Sequence, residues 1–255
     1  MDLLVTILEV VCFLGSGLVA LKLYKHDLHR RYPALFVYFL FRAFSGIWTL
    51  ALDVKSTWYF YWWMASAPMY WILYALVVLE IYRLALEPYK GLYSVGRWAM
   101  YVNITVSIGI SALSLLPRIK PAMPQRSKLM GYVVAADRGV DFGIVLFILL
   151  MIVFLTRYPV PLSRNILTNL AVFSLYFLST TLAMFLHTLF GLQLSSEISA
   201  GLLGASAVCV VIWLVLLGKA GEGIQVSVPM LSTVHEQRIL RQLESLNKAL
   251  LGMRV

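Results

Sequence analysis

The chain has 255 residues, 61% of them hydrophobic and only 13% charged, with a mean hydropathy of +0.83. A soluble domain of this size cannot hide so much apolar surface, and the membrane accounts for nearly the whole chain, leaving no room for a soluble catalytic domain. The net charge of +9 is distributed as a membrane-topology signal and does not form a nucleic-acid-binding patch.

Seven apolar segments approach the roughly 20 residues needed to cross about 30 Å of hydrocarbon. The expected fold is therefore all-α, a bundle of seven transmembrane helices over residues 1–220, followed by a tail over 221–255. Helix one is expected over residues 3–23; it lacks a basic leader and a small-residue cleavage site, so it reads as an uncleaved span. A basic loop, YKHDLHRRYP, leads to helix two over 34–52, which carries Arg42. The aromatic run from Trp58 to Trp63 is expected at the headgroup boundary, ahead of helix three over 62–84. Helix four covers 97–116, and a Pro-rich loop separates it from helix five over 133–156. Helices six and seven cover 166–190 and 198–217. Small residues at Gly15, Ser107, Ser111, Ala200, Gly201 and Gly204 are expected to let helices approach closely.

Lys and Arg number 14 in loops one, three and five and the tail, with their flanking helix ends, against five in loops two, four and six. The positive-inside rule then puts the amino terminus outside and the carboxyl terminus in the cytoplasm of a multi-pass cell-membrane protein. Loop four, with four basic residues, opposes that assignment. In the tail, Ile239, Leu243, Leu246 and Leu250 form an apolar stripe on an amphipathic helix over 232–251, flanked by Arg238, Arg241 and Lys248. Such a helix suits the anionic inner leaflet, a cytoplasmic protein partner or self-association.

Charges within spans carry the functional expectation. A charge at the bilayer centre costs about 2.5–3.5 kcal/mol on insertion scales and normally faces the bundle interior with a partner. Counted at 1.5 Å per residue, Arg42 and Asp141 each lie about 13 Å from opposite boundaries, which makes them midplane partners. Glu9, Asp137 and Arg138 complete a candidate polar cluster. Asp137 and Arg138 belong to it only if helix five begins before Gly139; Asp141 lies in hydrocarbon either way. The cluster has three formal negative and two positive charges, so a proton, a metal cation or an amine-bearing ligand is the natural complement. Against this, Arg138 and Asp141 are spaced to pair within one helix, and Arg42 can pair with Asp137 or Glu9 simply to fix packing.

Tyr70 and Tyr74, one turn apart beside the helix-breaking Pro68, form a candidate pocket wall. Glu80 and Arg83 have the spacing of a local boundary pair, and His187 reads as an interfacial histidine. Cys12 and Cys209 lie in apolar segments and make no disulfide framework; if the first and last helices are neighbours, they share a depth.

Helix seven has no lysine for a retinal Schiff base and no N-P-x-x-Y. The glycosylation triplet from Asn103 to Thr105 falls inside helix four, and no hydrolase, zincin or P-loop motif occurs. No cofactor is expected. The leading expectation is a non-catalytic sensor or receptor-like module, in which the polar cluster biases helix positions and the tail reports them. A small solute or proton-coupled transporter with three-plus-one-plus-three helices comes second, prompted by Arg31-Tyr32-Pro33 and its echo Arg157-Tyr158-Pro159. A membrane enzyme using Asp137, Asp141 and His187 and a structural subunit of a membrane complex are further readings.

Overall fold

The computed structural model describes residues 2–52, 56–87, 90–115, 125–157, 162–190, 195–223 and 225–226, together with Arg241 and Ser245. Seven long helices follow in order: α1 Asp2–Lys25, α2 Pro33–Ala51, α3 Thr57–Ala85, α4 Lys90–Leu115, α5 Gln125–Arg157, α6 Arg164–Phe190 and α7 Ser195–Leu216. Short elements decorate one end, namely a 3-10 turn at Leu28–Arg30, α8 at Ala220–Gly223 and an antiparallel pair of β1 Leu162–Ser163 with β2 Gln225–Val226. The protein is all-helical apart from that pair. The stripe residues Ile239, Leu243, Leu246 and Leu250, and the second Tyr-Pro copy at 158–159, lie outside the described residues.

Six of these helices are long and apolar enough to cross a membrane; α4, which carries Arg97, Asn103 and a series of serines, is not among them. Large apolar side chains stand exposed on every long helix, among them Leu14, Ile47, Ile72, Val106, Leu150, Leu182 and Val215. That apolar exterior is the reverse of a water-soluble surface and suits a lipid surround.

The six apolar helices close a ring in the order α1, α2, α3, α5, α6, α7 and back to α1, while α4 lies along α5. Two glycines one turn apart on α5 make the α4 contact. A Cβ on Gly139 would stand 2.6 Å from the Ile108 Cα, and one on Gly143 would stand 3.2 Å from the Ile104 Cα. Only a bare Cα permits such backbone contact, the GxxxG device of membrane helices. Gly15 does the same between α1 and α7, where an added Cβ would lie 2.4 Å from Val210 Cγ1. At Gly201 and Gly204, by contrast, an added Cβ meets nothing within 4 Å, and Gly201 faces an open groove between α6 and α7. With α1 and α7 adjacent, Cys12 and Cys209 are both buried free thiols.

Several helices begin earlier than hydropathy suggested. Ser56 caps α3 by accepting a hydrogen bond from the Trp58 amide at 3.1 Å, so the aromatic run is helical rather than a prelude to the helix. Helix α5 starts at Gln125, about three turns before Asp137, so Asp137 and Arg138 are interior to the helix. Pro68 leaves α3 continuous and sits on its exposed side.

The end of the bundle that holds the chain links α1–α2 and α5–α6 is locked by polar contacts. Glu80 of α3 reaches across to α2 and accepts from the amides of Ala34 and Leu35 at 3.0 and 3.1 Å, with Pro33 at the first turn. These are donors that a helix start leaves unpaired, so Glu80 acts as a cap supplied by a neighbouring helix. Glu222 of α8 accepts from the Tyr32 hydroxyl at 2.6 Å and the Asn165 amide at 2.5 Å, and pairs with Arg31 Nε at 2.9 Å. Burial first, and then the Glu222 carboxylate, push the Tyr32 phenol above its ordinary range. Asn165 also donates to the Gly218 carbonyl at 2.9 Å, Asn169 accepts from the Trp213 indole at 2.9 Å, and Lys22 donates to the Leu214 carbonyl at 2.6 Å. Around this latch the aromatic core of Tyr38, Phe39, Phe173, Phe177 and Trp213 is fully buried.

Candidate functional site

Polar side chains at helical spacing converge inside the ring. On α2, Tyr38, Arg42, Ser45 and Thr49 follow steps of four, three and four and therefore share a face. On α3 the matching residues are Ser66, Tyr70 and Tyr74; on α5, Asp137 and Asp141; on α6, Tyr176 and Thr180. Each stripe is short because the rest of its helix faces lipid or packs against apolar neighbours.

Arg42 lies half-buried at the centre and meets no carboxylate. Its guanidinium donates to the Tyr38 hydroxyl at 2.6 Å and to the Ser206 hydroxyl of α7. The rings of Tyr38 and Tyr176 stand 5.9 and 5.7 Å from its central carbon. Cation–π contacts and hydroxyl acceptors thus replace the ion pair that depth counting suggested. The hydroxyls of Tyr74 and Tyr176 are bonded to one another at 2.9 Å, and both tyrosines feel the Asp141 charge. Arg42 acts on the same two rings. Tyr176 thus packs on the central cation, and Tyr74 is joined to Tyr176 through the paired hydroxyls.

Asp141 is 5% exposed, while the Thr180 hydroxyl donates to the Phe177 carbonyl at 2.9 Å. One turn along α5, Asp137 accepts from the Trp71 indole at 2.7 Å, and the two carboxyls act on one another. Arg138 is half-buried and makes no hydrogen bond or ion pair among the described residues. Glu9 stands apart on the exposed face of α1, where the group it acts on is Tyr59. The structure therefore brings Asp137 and Asp141 together, links them to Arg42 through tyrosines, and leaves Glu9 outside.

A cavity of about 220 Å³ opens between α2 and α3 at the end of the bundle opposite the latch. Ser45, Tyr70 and Tyr74 line it, Tyr59, Trp62 and Trp63 form its aromatic wall, and among the described residues Asp137 is its one carboxylate and no Lys, Arg or His lines it. Tyr70 and Tyr74 thus line a pocket, whereas Pro68 does not. Ser45 of the Arg42 helix and Tyr70 of α3 both line this cavity. Ser45, Thr49, Tyr176 and Thr180 do not stand out in the sequence; their signal is hydroxyls one turn apart, easily passed over beside charges.

Two other expectations take different form. Glu80 caps α2, while Arg83 is a lesser influence on it. No hydrogen bond joins His187 to either aspartate among the described residues, and no group of three or more metal-ligating side chains occurs among them. Asn103 donates to the Gly143 carbonyl at 2.5 Å and so serves the α4–α5 contact. No family model, curated protein or solved structure matches this chain.

Proposed function

We propose that the chain is a seven-helix receptor-like module of the cell membrane, amino terminus outside and carboxyl terminus cytoplasmic, that binds a small ligand in the α2–α3 cavity. Support for α4 as the seventh span comes from the direction of its polar groups. Asn103 and Ser107 turn onto α5, while Trp98, Val102, Val106, Ile110 and Leu113 present an apolar outer face. The observation that carries the receptor reading is the polar path from cavity to tail. Asp137 and Tyr74 line the cavity together, Tyr74 is bonded to Tyr176, the Tyr176 ring packs on Arg42, and Arg42 is bonded to Ser206 of α7, the helix that leads into the Glu222 latch and the tail. A ligand that favours one arrangement of this path shifts the tail by its differential affinity for the two states.

The test is a small-solute screen on the whole purified chain, scored by tryptophan fluorescence and by protease cutting of the tail, with solute uptake measured in proteoliposomes. Saturable binding that alters tail cutting without uptake is expected. Binding that leaves the tail unchanged, or gradient-driven uptake, would overturn the reading.

A transporter is the second reading, favoured by the ring itself. Helices α1–α3 and α5–α7 form two consecutive three-helix arcs joined by α4 outside the ring. Uptake abolished by Asp141→Asn would carry it.

A further inference from the structure

We infer that the α2–α3 cavity is a binding site for a small organic ammonium ion, with Asp137 as its counter-charge; this rests on the receptor reading and names its ligand class. The charge sign comes first. Among the described residues Asp137 is the one carboxyl in the lining, and Arg42 is held by Tyr38, Ser206 and two rings rather than by the cavity. A carboxylate removed from water needs a cationic complement, and among the described residues no basic side chain lines the cavity to supply it: Arg138 engages neither aspartate. The Trp71 indole occupies Oδ1 of Asp137, and no donor among the described residues takes up Oδ2.

The wall chemistry selects the kind of cation. Tyr59, Trp62, Trp63 and Tyr70 are aromatic, and electron-rich faces attract an organic ammonium while giving its alkyl groups apolar contact. A hard metal ion instead demands six or more oxygen ligands, which one carboxylate and scattered hydroxyls do not arrange. Size sets the upper bound. At about 220 Å³ the cavity lies below the roughly 300–1,000 Å³ range of pockets for drug-sized molecules, so a monoamine of a few carbons fits and a peptide does not. Ser45 and the tyrosine hydroxyls at the floor can accept further N–H or O–H donors from the same ligand.

The experiment titrates the whole purified protein, in detergent, with choline against its uncharged tert-butyl analogue and with butylammonium against pentanol, by calorimetry and tryptophan fluorescence. Each ammonium should bind at least tenfold more tightly than its neutral partner. Asp137→Asn should erase that ratio while leaving neutral-solute binding unchanged. Equal affinities for charged and neutral partners in the unaltered protein would overturn the ammonium inference yet leave a cavity receptor standing. The same fluorescence change with sodium chloride alone would overturn it in favour of an inorganic cation. Binding of none of the four solutes would overturn it outright. Because the charged-to-neutral ratio is read on the unaltered chain, the test does not depend on the variant folding.

Discussion

The two ends of the bundle use similar residue types for opposite purposes. At the latch end, Glu80 and Glu222 each satisfy at least two donors, the aromatic rings around them are fully buried, and the chain links are tied to neighbouring helices. At the cavity end, Asp137 has one donor and the rings of Tyr59, Trp62, Trp63 and Tyr70 line open volume. A carboxylate whose acceptor sites are filled by the protein contributes stability. One with sites left over is available to a ligand. That distinction, rather than depth in the bilayer, separates structural from functional acids in this molecule.

The comparison is broken most severely at Glu80. Replacing it with alanine leaves two α2 amides unpaired, that of Leu35 buried and that of Ala34 partly so, and the unfolding free energy of the detergent-solubilised protein should fall by about 3 kcal/mol. Glu222→Ala removes the acceptor for Tyr32 and Asn165 and the partner of Arg31, but its pair with Arg31 is partly exposed to solvent; a loss of about 2 kcal/mol is expected in the same measurement. Tyr176→Phe deletes one hydroxyl of the central pair, and interhelical hydrogen bonds in membranes average about 0.6 kcal/mol, so its stability should barely change. If Tyr176→Phe instead matched Glu80→Ala, the division of labour between the two ends would be wrong.

The smallest effect is one of pH. The Tyr32 phenol is raised in the folded protein, so the stability it contributes is present in full below the ordinary tyrosine pKa of about 10 and is lost as pH rises above it. Thermal melting followed from pH 9 upward should show a loss that Tyr32→Phe removes.

Much of the site is legible in the residues alone. The depth argument singles out Arg42 and Asp141, and helical spacing singles out Tyr70 and Tyr74. Their connection is not legible there. Depth is one coordinate, and two residues at equal depth on different helices meet only if rotation about both axes points them at each other. Here Arg42 turns instead to Tyr38, Ser206 and the Tyr176 ring. Glu9 illustrates the same limit, since its depth is acceptable and its direction is outward.

Composition and periodicity by themselves determined an all-helical membrane protein, the positions of its long apolar helices to within a turn or two at most ends, and the residues too polar to face lipid. These follow from the bilayer, which forces backbone groups to bond within each segment and sets its length. Tertiary structure alone decided the ring of six helices with α4 outside it, the cross-helix cap by Glu80, the Glu222 latch and the location of the cavity. In lipid, helices gain little from hiding apolar surface, so their arrangement depends on close shape fit at residues such as Gly139 and Gly15 and on a few hydrogen bonds. Such pairings join residues 31 or more positions apart and leave no periodic trace in either partner.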